Sequence, residues 1–311
     1  MTFRKKAFIL SALVIALIIA NILTIVIKPG KSTSFAWLDP SLLGAIDRIE
    51  IFGRENRAAL VRKNNKWFVQ GETAEYPVKQ TRVDDLLSAL SRKAVYPKRA
   101  ASNEARTALA LEEGHASRIL IKGGQGLPLL DLLVGTADAL GREVYLRKAG
   151  QTEIYSGEDL FTLYTESQPR SWYNLRLFPS DGSAVALDAV QQAEISFSPG
   201  SGEKKSYMLR RQRGLWMNPG NESAVLDSQR AETWLRSVLE AEAEDFTDHA
   251  PENIDNRITL RLGDGSTRII QAGAMPDGKT AAMVSNSSLV YVIGEYAAKR
   301  IFIESEYFEK K

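Results

Sequence analysis

The chain has 311 residues, of which 44% are hydrophobic and 25% are charged, so it can bury sizeable cores and is long enough for two domains. Residues 1–28 hold four basic groups and no acidic group, which leaves a net charge of −2 on the remainder and argues against a nucleic-acid surface. Cysteine is absent, which excludes disulfides, thiolate nucleophiles and cysteine-based metal sites.

The first predicted element is an apolar stretch from Phe8 to Ile27 that contains no charged residue. A helix of about twenty residues spans roughly 30 Å, the thickness of the hydrocarbon layer, so residues 1–28 predict a short stub and a transmembrane helix. Arg4, Lys5 and Lys6 precede the stretch and two basic residues follow it, which favours a cytoplasmic N-terminus and an extracytoplasmic bulk. A cleaved signal peptide is the alternative, although its apolar core is usually only about 7–15 residues.

Residues 29–44 begin with Pro-Gly-Lys-Ser-Thr-Ser and predict a short tether. Residues 45–178 predict an α+β repeat that contains a strand at Ile46–Ile51, a hairpin at Asn64–Asn65, a helix, two more hairpins and a short helix. The longer helix carries an apolar stripe at Val83, Leu86, Leu87 and Leu90.

Residues 179–187 are rich in turn-forming residues and predict a linker, and residues 188–311 repeat the order of elements in residues 45–178. The strand Ile46–Ile51 matches Val190–Ile195, and Arg118–Lys122 matches Arg257–Arg261. The second helix has the same stripe at Ala231, Trp234, Leu235 and Val238. The predicted fold is therefore α+β, with a transmembrane helix followed by two tandem repeats. Their sheets are expected to be antiparallel, because the turns are too short for parallel crossovers.

Two basic runs on hairpins are the candidate interaction edges. They are Arg62, Lys63 and Lys66 in the first repeat and Arg210, Arg211 and Arg213 in the second. Charges on such hairpins usually protect exposed strand edges, and the alternative is a patch for anionic lipid or glycan.

Catalytic, cofactor and metal sites are not predicted. The chain has two histidines, His115 and His249, each near two carboxylates, but no further ligand follows at a recognised spacing. A Ser-His-Asp triad would need one of these histidines, and the Gly-x-Ser-x-Gly motif of a nucleophile elbow is absent from the sequence. The glycine-rich run Lys122–Gly126 predicts a hairpin turn, because Pro128 and a strand-like segment follow where a phosphate loop needs a helix.

These motifs resemble a bacterial family described as domain of unknown function 4340. The resemblance lies in the strand Ile46–Ile51, the hairpin into Trp67, Leu111–Glu112, the strand Arg118–Lys122, Leu133–Gly135, Tyr145–Arg147 and the connector Trp172–Phe178. It implies a companion of ABC-type export systems, including those associated with gliding motility, and it supplies no catalytic residues.

The expected function is that of a single-pass, non-enzymatic protein of the bacterial cytoplasmic membrane. It is expected to be an auxiliary subunit of an ABC-type transport or envelope assembly system. Its expected partners are integral-membrane transporter subunits and not nucleic acid. The alternatives are an extracytoplasmic module that binds a small molecule, peptide or glycan, and a hydrolase.

Overall fold

A computed structural model describes residues 32–178, 185–199, 202–221 and 225–310. The apolar stretch Phe8–Ile27 lies outside these ranges, as do residues 179–184 of the predicted linker. Within the described ranges, no helix is both long enough and apolar enough to cross a membrane. The membrane span and its orientation therefore stay predictions from the sequence.

The chain divides into two compact units between Trp172 and Tyr173. In its described residues, the first unit forms ten strands and three α-helices. The strands are β1 Ser32–Phe35, β2 Ile46–Phe52, β3 Arg57–Lys63, β4 Lys66–Gln70, β5 Glu75–Pro77, β6 Ala94–Ala100, β7 Ser117–Gly123, β8 Pro128–Ala137, β9 Glu143–Lys148 and β10 Ile154–Glu158. The helices are α1 Gln80–Ser91, α2 Asn103–Ala108 and α3 Leu160–Thr165.

The ten strands of the first unit form one antiparallel sheet in the order β1-β6-β10-β9-β8-β7-β2-β3-β4-β5. Alternate residues of its central strands are fully buried, as expected for a sheet with one face on the core. Helix α1 buries Val83, Leu86 and Leu90, while Leu87 of the predicted stripe is only partly buried.

The second unit, in its described residues, forms eight strands and two α-helices. They are β11 Val190–Phe197, β12 Lys205–Gln212, β13 Leu215–Met217, α4 Ser228–Leu239, β14 Asp245–Thr247, β15 Asn256–Leu262, β16 Thr267–Ala274, β17 Thr280–Val284, β18 Val290–Ile293 and α5 Glu295–Ile301. The sheet is antiparallel in the order β13-β12-β11-β15-β16-β17-β18-β14. All four residues of the stripe predicted on α4 are buried.

Both sheets share one strand order. The second sheet corresponds to β4-β3-β2-β7-β8-β9-β10-β6 of the first, and β1 and β5 are additions at the two ends. Even the register agrees: Ile51 lies opposite Ile119 in the first sheet, and Ile195 lies opposite Ile258 in the second. The predicted α+β class with antiparallel sheets is confirmed.

The structure departs from the predicted tether, because residues 32–44 belong to the first unit. Strand β1 pairs with β6, and both Trp37 and Leu38 are buried. The ring of Phe35 lies 4.9 Å from that of Trp37 and 5.0 Å from that of Tyr96. The polar start of the segment suggested a tether, but its aromatic end supplies enough apolar area to dock on the sheet.

The connector also lies elsewhere than predicted. Residues 173–178 were expected to end the first repeat, whereas they begin the second unit. The amide of Leu177 donates to the carbonyl of Ala241, and the carbonyl of Leu175 accepts from Ala243. Leu177 is fully buried. The described part of each unit thus begins with an extended segment that lies beside the residues following its long helix, with Phe35 opposite Ala94 and Arg176 opposite Glu242.

Candidate functional site

The basic run of the first unit does not lie on an open edge. Strand β3, which carries Arg62 and Lys63, lies between β2 and β4, and β5 covers part of β4. Arg62 is partly buried and donates to the carbonyl of Gly44 at 3.4 Å. Lys63 forms an ion pair with Glu75 at 2.5 Å, and Lys66 begins β4 on the exposed side of the turn. Strand β3 is therefore not an edge strand, and β5 pairs with Phe68–Gln70 of β4 but not with Lys66. That these three residues take part in an interaction stays a prediction.

The basic run of the second unit splits between the two faces of its sheet. Arg211 points to the core side, where its guanidinium lies 5.2 Å from the ring centroid of Trp216 and pairs with Glu232 at 2.9 Å. Arg210 is exposed on the opposite face and donates to the side chain of Gln192. Arg213 occupies a left-handed turn position with φ 54°. The three arginines thus do not form one patch, because neighbouring residues of a strand point to opposite faces.

The sheet face that carries Arg210 is called the outer face here, because it lies opposite the buried face that packs under the long helix. In the first unit the outer face carries a network that the sequence did not predict. Glu50 accepts from Arg48 at 2.5 Å and from Lys122 at 2.9 Å. Arg118 of β7 forms a two-pronged ion pair with Asp131 of β8.

The charge on Glu50 depends on its two basic neighbours. Burial alone would raise the pKa of this carboxyl, but the hydrogen bonds from Lys122 and Arg48 outweigh burial and lower the pKa. Glu50 therefore stays ionised to a lower pH than an unperturbed glutamate side chain.

The second unit repeats one element of this network. Glu194 occupies the position of Glu50, and it pairs at 3.3 Å with Arg261, which occupies the position of Lys122. The signal available in the sequence was the shared acidic residue in the matched strands. Its partner lies on a strand far along the chain, so only the sheet pairing brings the two charges together.

In each unit, one arginine at the start of the long helix contacts residues near the end of the unit, and these two arginines occupy matching positions. Arg82 stacks on Trp172 and donates to the carbonyl of Leu163 at 2.9 Å. Arg230 lies 5.9 Å from the ring of Tyr307 and donates to the carbonyl of Glu309. Both side chains donate to backbone carbonyl groups near the ends of their units, which is a structural role.

The histidines lie in exposed loops, His115 after α2 and His249 after β14. In the described part of the chain, no group of three or more His, Asp or Glu side chains is arranged to hold a metal ion. The glycine-rich run Lys122–Gly126 forms the turn between β7 and β8, as its context predicted.

Comparison with curated proteins found no match, and comparison with solved structures found none either. A family model does match. It is described as a domain of unknown function (DUF4340) and covers residues 67–257, from β4 of the first unit to the start of β15 in the second. The match spans more than half of the chain, and the protein belongs to this family.

Proposed function

We propose that this protein is a membrane-anchored, non-enzymatic interaction protein of the bacterial cytoplasmic membrane. In this proposal Phe8–Ile27 is its single transmembrane helix, and both units lie outside the cytoplasm. It acts as an auxiliary subunit of an ABC-type transport or envelope assembly system, and its two units are tandem repeats of one module that bind integral-membrane components.

The observation that carries the proposal is the position of β1. This strand begins at Ser32, only five residues after Ile27. Five residues of extended chain reach less than about 20 Å. If Phe8–Ile27 spans the membrane, the first unit must lie against the bilayer surface, where integral-membrane proteins are the partners within reach.

The sheets support a role in binding rather than in transport itself. Each presents an outer face of polar and charged side chains held by cross-strand ion pairs, such as Glu50 with Lys122 and Glu194 with Arg261. Ordered side chains on a rigid sheet lose little freedom when a partner binds, which favours specific recognition.

The test is recovery of partners from native membranes. The full-length chain with a C-terminal tag is extracted in mild detergent, and co-purifying proteins are identified by mass spectrometry. We expect an integral-membrane transport component to be enriched over an unrelated single-pass bait. Recovery of the protein alone, after cross-linking as well as without it, would remove the proposal.

A pair of reporters tests the topology separately. A phosphatase fused after Lys311 should be active, and a fluorescent protein that matures only in the cytoplasm should be dark there. The reverse pattern would place the units on the cytoplasmic side and exclude the proposed arrangement.

A further inference from the structure

The outer faces of the two sheets differ in how their arginines are partnered. Over the four strands β12, β11, β15 and β16, the second unit presents three basic residues and one acidic residue on this face. They are Arg210, Arg257, Arg261 and Glu194. Arg261 pairs with Glu194, which leaves two arginines for other groups.

Those two arginines contact neutral groups only. Arg210 donates to Gln192 at 3.1 Å and contacts the sulfur of Met208. Arg257 donates to the hydroxyl of Thr259 at 3.4 Å. Both arginines are exposed. A guanidinium presents five donors, so most of the donors on each remain available to a ligand.

The matched positions of the first unit show what is missing. Arg118 corresponds to Arg257, and it is held by Asp131. The residue at the place of Asp131 in the second unit is Ile269, which cannot accept a hydrogen bond. Val61 stands where the second unit has Arg210.

Other basic side chains on the outer face of the first sheet also have partners. Arg48 and Lys122 share Glu50, and Arg57 stacks on the ring of Phe52 at 5.7 Å. The second unit therefore differs from the first in offering arginines without acidic partners at Arg210 and Arg257.

The geometry points to the outer face of the second sheet as a docking site for an acidic segment of a protein partner, which Arg210 and Arg257 bind through its carboxylates. This inference rests on the proposed function, since it names the chemistry of the partner. Arginine suits this ligand because its planar fork matches a carboxylate with two parallel hydrogen bonds.

The spacing suits separate carboxylates. Arg210 and Arg261 lie two strands apart, which is about 10 Å, and Arg257 lies four residues along β15 from Arg261, which is about 13 Å. Glu194 lies among the three arginines. Its negative charge opposes the continuous anionic surface of a lipid bilayer, whereas a protein segment can place its carboxylates on either side of it.

Apolar residues at the side of Arg210 extend the same site. Met217 lies opposite Arg210 and Leu215 lies opposite Gln212, so both side chains are on the outer face. They are 36% and 65% exposed. An acidic segment that also carries apolar residues would cover them and gain from their burial.

The test is a titration of the full-length protein in detergent micelles with a fluorescein-labelled 20-residue peptide of alternating Glu and Ala. The matched control peptide has Gln in place of Glu, and empty micelles give the background. We expect the anisotropy to report binding of the Glu peptide that weakens in high salt, with at least tenfold weaker binding of the Gln peptide.

The variants introduce into the second unit the residues that the first unit has at the matching positions. Ile269→Asp supplies the acid found in the first unit, and the double variant Arg210→Val with Ile269→Asp reproduces that arrangement more fully. We expect at least a tenfold loss of Glu-peptide affinity in the double variant, with an unchanged circular dichroism spectrum. Asp131→Ile in the first unit is the matched control and should not weaken binding.

Two results would overturn the inference. The first is equal affinity of the double variant and the wild-type protein for the Glu peptide. The second is binding to phosphatidylglycerol nanodiscs that depends on Arg210 and Arg257, without binding of the peptide. The titration needs no native partner. Failure to recover a transport component would therefore contradict the proposed function, while the peptide titration would still test whether this face binds an acidic segment.

Discussion

The guanidinium carbon of Arg82 lies 4.7 Å from the ring centroid of Trp172, so the first turn of α1 stacks on the last residue of the first unit. The same side chain donates to the hydroxyl of Ser167 at 2.6 Å. Trp172 is fully buried. One arginine therefore joins the start of the long helix to the closing segment of the unit.

Replacement of this arginine by lysine should destabilise the first unit although the charge is kept. An ammonium group cannot stack and bond as the planar guanidinium does, and the loss should be about 1–2 kcal/mol in the free energy of unfolding. Urea denaturation followed by tryptophan fluorescence measures it. The control is Arg92→Lys, which affects only an exposed ion pair 3.9 Å long and should cost less than about 0.5 kcal/mol. Equal effects of the two variants would contradict the role given to Arg82.

Phe35→Ala should destabilise the first unit by about 2 kcal/mol, because the ring is packed among Trp37, Tyr96 and Tyr155. A residue in a tether would show no such effect. The matched control is Arg176→Ala, since Arg176 holds the corresponding place in the second unit and makes only a 3.5 Å contact with Glu242. Thermal unfolding of both variants measures the effect. A melting temperature of Phe35→Ala equal to that of the wild-type protein would show that the packing of β1 does not stabilise the first unit.

Leu235→Asp and Leu87→Asp should differ, although the sequence places the two leucines at equivalent positions. Leu235 is fully buried, so a carboxylate there should cost several kcal/mol and unfold the second unit. Leu87 is only partly buried, so its replacement should cost about 1 kcal/mol. Limited proteolysis at increasing urea concentration compares the two. Similar resistance of the two variants would contradict the energetic difference expected from their burial.

Glu50 should make the stability of the first unit depend on pH in the acid range. Its pKa is lowered in the folded state, so its contribution is present above the unfolded-state pKa of about 4.5 and is lost as the pH falls through the folded-state value. Glu50→Gln should lower the free energy of unfolding by about 1 kcal/mol at pH 7 and flatten this dependence below the unfolded-state pKa. Urea titrations at several pH values measure it, and parallel curves for the variant and the wild-type protein would contradict it.

The elements that the sequence predicted best are those set by local rules. The stripe on α4 was predicted because its apolar residues follow the helical period, and the Asn64–Asn65 turn because asparagine tolerates the left-handed conformation seen there, with φ of 50° and 61°. Local rules did not reveal the docking of β1 on β6. That pairing joins residues about sixty positions apart, from Ser32 with Pro97 to Phe35 with Ala94, and the polar residues at its start resemble those of a loop.

The ion-pair network on the outer face of the first sheet was not predicted for a related reason. Glu50 and Lys122 are 72 positions apart, and they meet because β2 pairs with β7. The alternation of side chains along a strand predicts that each charged residue faces solvent, but it does not predict which residue of another strand it contacts. Local rules also did not show that the strands carrying Arg62 and Arg210 lie inside their sheets, because the position of a strand within its sheet depends on pairings that hairpins do not determine.

The pairing of β1 with β6 also sets how the first unit responds to mechanical force. A pull on the chain before Ser32 acts on an outermost strand of four residues, and its hydrogen bonds to β6 would break first. The cluster formed by Phe35, the last residue of that strand, and Trp37, just beyond it, would bear the force next. Tension would therefore peel this edge away while the central strands of the sheet remain paired.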